Sequence, residues 1–262
     1  MENRSTDFVF VGKDEPRKEG IARVTGQEKY PSDIFLDNML YGKILRSPHP
    51  HARVKSIDFS AVEAMGAYHI CFLDTPDKHF NLRLVSVPKA TYQDWQVFSD
   101  HVRHVGDFYG AVAAETEELA EKAAAAVRVE WEILPAYLDM ETAMAAEKNL
   151  IHDTVYIEEK PIRIKNNIAC SREVVEGDIE EGFREADIIV EHSFETPRQY
   201  QCALETKACV AKPEPDGGIT VWPTTQALHN TRILIGSIFD LPLNKVNVMR
   251  IPGGGHFGSG IH

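Results

Sequence analysis

Residues 102–135 constrain the fold more than any other part of the chain. An apolar, strand-like run at 109–114 is followed by TEELAEKAAAAV and then by the alternating sequence VRVEWEILP. Thr116 is a typical helix N-cap, and the glutamates after it lie where they favour the helix dipole. Glu118 and Lys122 are spaced for an i,i+4 ion pair. Strand, helix and strand in this order predict a right-handed β-α-β unit within a mixed α+β or α/β fold.

The residues before this segment predict short strands and one short helix. LYGKILRSP and ARVKSIDF each have strand composition, and the prolines between them predict a turn. Ser60 is expected to cap the helix SAVEAM, which Gly66 ends, and AYHICFL predicts a buried strand. Residues 1–20 are polar and interrupted by Gly and Pro, so we expect an irregular arm.

The periodicity weakens over residues 138–167, and EEKPIRIKNN has the composition of a linker. A second domain is expected to open at Ser171. Its predicted helices are DIEEGFREA and residues 228–239, and its predicted strands are DIIVEHSFE, KACVAKPE, ITVWPTT and KVNVMRI, with a turn at PDGG. We therefore predict an arm and α/β domain over 1–140, a linker over 141–167, and a second domain over 168–262.

Charge and composition narrow the class of partner. The 262 residues carry a formal net charge of −12, which repels phosphate backbones and argues against nucleic acid as a partner. No apolar run is long enough to cross a membrane, and no secretory signal is visible, so a cytoplasmic location is expected. The four cysteines (Cys71, Cys170, Cys202 and Cys209) are scattered, which predicts structural thiols and no iron–sulfur cluster held by this chain alone.

Several longer stretches resemble a known family. GIARVTGQEKYPSDI and LYGKILRSPHPHARVKSID resemble the start of the molybdenum-binding subunit of xanthine dehydrogenases and aldehyde oxidases, and HVGDFYGAVAAETEELAEKAAAAVRVEWEILP resembles the next signature. Together they imply that the first domain is the family's α/β hammerhead domain. GDIEEGFREADIIVEHSFETPRQYQCALET resembles the entry to the first molybdopterin-binding domain, so residues 168–262 would be part of that domain.

Two shorter segments resemble the surroundings of the family's molybdenum: Thr224-Thr225-Gln226, and a loop containing Gly254, Gly255, Phe257 and Gly258. The resemblance implies that the Gln226 amide approaches an oxo ligand, and that the four loop residues line the metal and its pterin with their backbone. Glycine permits such close approach, and an oxo group needs N–H donors. Without the family, Gln226 would be a surface amide and the loop a tight turn. The same loop matches G-x-G-x-x-G, but the dinucleotide fingerprint also needs a following helix and a later acidic residue.

Other candidate residues carry less specific signals. Glu205 lies in a Leu-Glu pair that the family shows near its active site, and either a paired structural carboxylate or a direct role fits the sequence. His49, His51, His101 and His104 lack a nearby carboxylate or cysteine set, so no metal site is predicted there. His256 stands where the family usually has a third loop glycine, and Ile261 stands where purine-oxidising members have a glutamate.

The resemblance implies an oxidoreductase: part of a molybdenum hydroxylase that hydroxylates a heterocycle or an aldehyde with water as the oxygen source. The family's catalytic glutamate and most pterin-binding residues lie beyond His262, so no catalytic residue is expected in this chain and no activity in isolation. The implied partners are the remaining molybdopterin-binding polypeptide or domain, an iron–sulfur subunit and an FAD subunit, with those two cofactors on the partners only. The alternative is a non-catalytic scaffold or assembly protein that keeps the hammerhead fold. A nucleotide-binding module resting on the glycine-rich end is a weaker alternative.

Overall fold

The computed structural model describes residues 9, 11–80, 95–152, 154–157, 160–168 and 173–259. Two compact units are formed, one by the residues up to Phe35 together with those from Cys202 onward, and the other by Leu36–Gln201. The domain limits 1–140, 141–167 and 168–262 stay predictions, since compact units need not coincide with domains of a family. Cys170, Ser171 and Ile261 lie outside the described residues. Within the described ranges, no helix has the length and apolar character to cross a membrane.

Helices and strands are interspersed along the described chain. The helices are α1 Gly20–Val24, α2 Ser60–Ala64, α3 Glu117–Ala126, α4 Met140–Ala145, α5 Ile179–Glu185 and α6 Leu228–Phe239, with 3-10 turns at Pro31–Asp33 and Leu243–Lys245. The strands are β1 Tyr41–Arg46, β2 Ala52–Asp58, β3 Tyr68–Cys71, β4 His101–Val102, β5 Phe108–Ala114, β6 Arg128–Ile133, β7 Thr154–Ile157, β8 Lys160–Arg163, β9 Cys209–Pro213, β10 Ile219–Pro223 and β11 Val246–Val248. The mixed α/β class predicted from the sequence is confirmed.

The predicted β-α-β unit is wrong in its pairing, although its three elements are present. β5 is the central strand of the sheet β1-β5-β3, and it is antiparallel to both neighbours. β6 lies in a different sheet, β4-β2-β6, where it runs antiparallel to β2. Both edges of β5 are therefore occupied, and α3 connects two sheets rather than two parallel neighbours.

One hydrophobic core joins these sheets to α3. Ala120 and Ala123 of the helix are fully buried against strand residues such as Val112 and Ala114. The helix begins as predicted, because the Thr116 hydroxyl accepts a hydrogen bond from the Leu119 N–H at 3.2 Å. The Glu118–Lys122 ion pair is also present, at 2.7 Å.

Two local expectations in this unit are corrected. Ser60 is not a side-chain cap, because the Asp58 carboxylate accepts the hydrogen bond from the Ser60 N–H instead. The strand β3 is buried on one side only, since Tyr68 is 63% exposed whereas Cys71 is buried in the core. Gly66 does follow α2 in the left-handed conformation, with φ of 71°.

The predicted linker over 141–167 has more structure than expected. It contains most of α4 and the antiparallel pair β7–β8. By contrast, the predicted strand DIIVEHSFE is irregular, with Ile188, Val190 and Phe194 each more than 70% exposed. A strand needs a neighbour for its backbone hydrogen bonds. No pairing of residues 187–195 occurs within the described ranges.

Residues 202–259 form the second sheet system. β10 is central, antiparallel to β9 and parallel to β11, and α6 connects the two parallel strands. α6 spans residues 228–239, as the apolar pattern predicted. Gly236 is buried in the helix, and a Cβ there would lie 3.0 Å from the Leu241 carbonyl, which explains why the helix has no side chain at this position.

Candidate functional site

The candidate site residues lie at one edge of the β9-β10-β11 sheet. β10 ends at Pro223 and leads into Thr224, Thr225 and Gln226, whereas β11 leads into the loop 253–258. Because β10 and β11 are parallel, both segments leave the sheet at the same edge. Ligands of open α/β sheets bind at the carboxyl ends of the strands, and the carboxyl ends of β10 and β11 both lie at this edge.

Glu205 connects the two segments. Its Oε2 atom accepts a hydrogen bond from the Gly254 N–H, and its Oε1 atom accepts one from the Thr224 hydroxyl at 3.2 Å. The Glu205 N–H also donates to the Gly254 carbonyl at 3.4 Å. A Cβ at Gly254 would lie 2.6 Å from the Glu205 Cβ, so only glycine fits this contact. Of the two roles left open for Glu205, the structure shows the paired carboxylate.

The strand end before Gln226 is held by hydroxyl groups. Thr224 is buried, and its N–H donates to the Ala208 carbonyl at 2.9 Å. The Thr225 hydroxyl accepts a hydrogen bond from the Ala227 N–H at 3.1 Å, immediately before α6 begins. Gln226 itself is exposed, and its side-chain amide makes no hydrogen bond within the described ranges. Its donor is therefore free to meet a ligand.

The loop keeps several backbone donors unused. Gly255 has φ of 119°, Phe257 has φ of 50° and Gly258 has φ of 92°, so the loop turns repeatedly through left-handed conformations. Within residues 173–259, the backbone N–H groups of these three residues donate to no acceptor. The Phe257 ring is 77% exposed. The loop thus presents backbone N–H donors beside an apolar ring.

The His256 imidazole packs against Gly253, which has no side chain to block it. A Cβ at Gly253 would collide with His256 Nε2, so the imidazole occupies the space that a side chain at 253 would need. The Lys207 ammonium donates to His256 Nδ1 at 2.8 Å, which requires the ring nitrogen to be unprotonated. Burial of the imidazole, and then the positive charge of Lys207, lower the pKa of His256, whereas Glu205 acts in the opposite direction.

Sequence reasoning missed the contacts that organise this site. Neither the Thr224–Glu205 nor the Lys207–His256 hydrogen bond was expected, because no spacing rule relates residues this far apart. The pair Leu204-Glu205, which resembles a pair near the family's active site, was the one sequence signal that pointed to Glu205.

The four histidines considered as metal ligands do not form one group. His51 and His101 meet at 2.8 Å, whereas His49 packs edge-on against Trp131 and His104 is exposed. Among the described residues, no three His, Cys, Asp or Glu side chains are grouped as metal ligands.

Two family models match the chain. The model described as "Aldehyde oxidase and xanthine dehydrogenase, a/b hammerhead domain" matches residues 25–135, and the model "Molybdopterin cofactor-binding domain" matches residues 160–262. Fold and sequence therefore define a hammerhead domain followed by part of a molybdopterin-binding domain. The chain belongs to the xanthine dehydrogenase/aldehyde oxidase family of molybdenum hydroxylases.

Relatives and solved structures agree with this assignment. A probable xanthine dehydrogenase subunit of Bacillus subtilis (strain 168) is 35% identical over 92% of this chain and 30% of its own length. The nicotinate dehydrogenase large molybdopterin subunit of Eubacterium barkeri is 30% identical over 96% of this chain and 56% of its own length. The aldehyde oxidoreductase structure from Desulfovibrio gigas is 25% identical, with a TM-score of 0.78 over 94% of this chain and 27% of that one. The chain thus spans between about a quarter and just over half of these proteins.

Proposed function

We propose that this chain supplies one wall of the molybdenum–molybdopterin site in an oxidoreductase that hydroxylates a heterocycle or an aldehyde with oxygen from water. The observation that carries the proposal is the Glu205 carboxylate, which holds the loop at Gly254 against Thr224 at the end of β10. Gln226 and the glycine-rich loop thereby belong to one sheet edge. The names of the relatives, which include a xanthine dehydrogenase subunit and a nicotinate dehydrogenase subunit, support this reaction class.

The residues at this edge fit the cofactor. Oxo groups and the phosphate of a pterin cofactor are hydrogen-bond acceptors, and they need donors held in place. The backbone N–H groups of Gly255, Phe257 and Gly258, which donate to no described acceptor, are such donors, and the side-chain amide of Gln226 is another. The glycines allow the backbone to approach a bulky group closely. When bound, the cofactor would supply the two-electron redox chemistry of the reaction.

The roles of this chain's residues would be to bind and to orient. Gln226 would donate its amide hydrogens to the metal's acceptor ligands, and the backbone of Gly254, Gly255, Phe257 and Gly258 would line the cofactor. Glu205 would position the loop, because its two carboxylate oxygens accept the hydrogen bonds from Gly254 and Thr224. We assign no catalytic residue to this chain.

The proposed partners follow from the reaction of the family. A further molybdopterin-binding polypeptide or domain would complete the site, and an iron–sulfur subunit and an FAD subunit would carry electrons away. Several relatives are themselves named as subunits, which supports assembly with other chains.

Purification of the chain from its native host with an affinity tag tests the proposal. Near-stoichiometric molybdenum, together with a larger pterin-binding partner, is the expected result. The same preparation without molybdenum and without such a partner would overturn the proposal and leave the non-catalytic scaffold as the better description.

A further inference from the structure

A cleft in the compact unit Leu36–Gln201 is lined, among the described residues, by more cations than anions, although the chain as a whole is acidic. It has a volume of about 650 Å³ and lies over the face of the β4-β2-β6 sheet that points away from the core. Its floor is formed by His51, Arg53 and His101. These three residues share one face, because Arg53 pairs with His101 across the strands and His51 is two residues before Arg53.

Four cationic side chains line this cleft: Arg53, Lys148, Arg163 and Lys165. None of them forms an ion pair within the described part of the chain. Glu147 is the one carboxylate of the described lining. Four cations against one anion is an unusual balance in a chain with a net charge of −12, and like charges around one cavity raise the free energy of the folded state unless a counter-charge enters.

The wall of the cleft is fixed by hydrogen bonds to the backbone of residues 144–151. The Tyr137 hydroxyl donates to the Lys148 carbonyl at 2.7 Å, and the Arg103 guanidinium donates to the Ile151 carbonyl at 2.9 Å. Asn166 donates to the Met144 carbonyl at 2.7 Å, and the Asn167 side chain accepts from the Ile151 N–H at 2.8 Å. The cleft is therefore preformed, which lowers the entropic cost of binding.

The floor adds two buried imidazoles. His51 is fully buried, and its Nδ1 atom lies 2.6 Å from the Pro135 carbonyl oxygen. Since a carbonyl only accepts, His51 Nδ1 carries the proton, and His51 Nε2 accepts a hydrogen bond from His101 Nε2 at 2.8 Å. Within the described residues, no hydrogen bond joins either imidazole to one of the four cations.

We propose that this cleft is a binding site for a small multivalent oxyanion of the phosphate or carboxylate type. The volume is in the usual range for small-molecule sites, about 300–1,000 Å³. Guanidinium groups bind such oxyanions through paired N–H donors, and ammonium groups add point charges. The site lies in the unit Leu36–Gln201 and goes beyond the proposed cofactor site, on which it does not depend.

Isothermal titration of the full chain with pyrophosphate and with citrate, at low ionic strength, tests the proposal. We expect one saturable site for at least one of the two probes, and the preferred probe distinguishes a phosphate from a carboxylate ligand. The double variant Arg53→Gln/Arg163→Gln should weaken binding by at least about tenfold, since two charge-assisted contacts are lost. Glu147→Gln should tighten binding, because it removes the opposing carboxylate.

The matched control is Lys13→Gln/Lys18→Gln, which removes the same charge from exposed positions outside the cleft. It should leave the affinity unchanged. Circular dichroism establishes that each variant is folded, and Glu147→Gln keeps the test decisive if the double variant does not fold. Absence of binding for both probes, or equal weakening in the control, would overturn the proposal.

Discussion

The carboxylate of Glu205 accepts a hydrogen bond from the backbone N–H of Gly254, which lies 49 residues later in the chain. The contact brings a charged acceptor to the start of the loop, and the N–H groups of Gly255, Phe257 and Gly258 find no acceptor within the part of the chain that the structure describes. A carboxylate at this position thus organises donors for a ligand while hydrogen bonds stabilise its own charge. The loop's conformation consequently depends on a side chain that need not touch the cofactor.

Glu205→Ala should release the loop. Hydrogen bonds to a charged group contribute roughly 1.5–3 kcal/mol, so we expect amide exchange at Gly254 to accelerate by about ten- to a hundredfold. Hydrogen exchange resolved at Gly254 by NMR measures this. Glu214→Gln is the control, because Glu214 forms its ion pair with Lys212 elsewhere in the same sheet system. Unchanged protection of Gly254 in Glu205→Ala would show that other contacts hold the loop.

Gln226→Ala should separate function from stability. The side chain is exposed and makes no hydrogen bond within the described ranges, so the free energy of unfolding should change by less than about 0.5 kcal/mol. In the assembled enzyme, loss of a preorganised donor should lower kcat by about a hundredfold at unchanged molybdenum content. Urea unfolding of the chain and turnover of the complex are the two measurements. His229→Ala, an exposed change in the first turn of α6, should leave both quantities unaltered, and full turnover in Gln226→Ala would remove Gln226 from the proposed site.

Structural features that depend on residues close together in the sequence could be predicted from it. The Thr116 cap, the Glu118–Lys122 pair and the span of α6 all depend on residues within a few positions of each other, and all three are confirmed. The two candidate segments around Gln226 and Gly254 came from resemblance to a family rather than from periodicity.

Strand pairing and side-chain contacts between distant residues could not be predicted in this way. The alternating pattern of β6 is satisfied equally by pairing with β5 or with β2, and β5 is already flanked by β1 and β3. Residues 187–195 have strand composition, yet composition does not supply a hydrogen-bonding neighbour. The Glu205–Gly254 contact depends on the order of strands in the sheet, which is decided by packing of the whole unit.

Lys207→Gln should raise the pKa of His256. The substitution removes the second of the two causes that lower this pKa and keeps a neutral donor near Nδ1. NMR titration of the imidazole measures the change, and Lys212→Gln is the control because Lys212 pairs with Glu214. An unchanged or lower pKa in Lys207→Gln would contradict the electrostatic role given to Lys207.

The same shift has a consequence for stability. Because the folded-state pKa of His256 lies below its ordinary value, the unfolded chain binds the proton more tightly. The stability contributed by the neutral imidazole is complete above about pH 6.5 and is lost as the pH falls through the folded-state pKa. His256→Gln should therefore flatten the dependence of unfolding free energy on pH in this window. Urea unfolding of both proteins across the window measures it, and an equally steep dependence in the variant would assign the effect to another group.

Gly110→Ala should destabilise the compact unit Leu36–Gln201. Gly110 lies on the central strand β5, and a Cβ there would be 2.7 Å from the Ile70 carbonyl oxygen and 3.3 Å from Cys71 Cα. Both contacts are with the backbone of β3, which cannot rotate away as a side chain would. Overpacking of this kind costs about 1–3 kcal/mol, which urea unfolding followed by circular dichroism would detect.

Gly42→Ala is the matched control, because Gly42 lies on β1, the other neighbour of the same central strand. A Cβ there would have the Val112 carbonyl oxygen as its nearest neighbour, at 3.9 Å, which is an ordinary van der Waals distance. Glycine in a strand interior is also entropically unfavourable relative to alanine by about 0.5–1 kcal/mol, so this variant should be neutral or slightly more stable. Opposite changes in stability for the Gly110 and Gly42 variants would show that β5 is closely packed against β3 and not against β1. Equal losses at both positions would mean that the sheet rejects any added side chain, and the close approach of β3 would not be the cause.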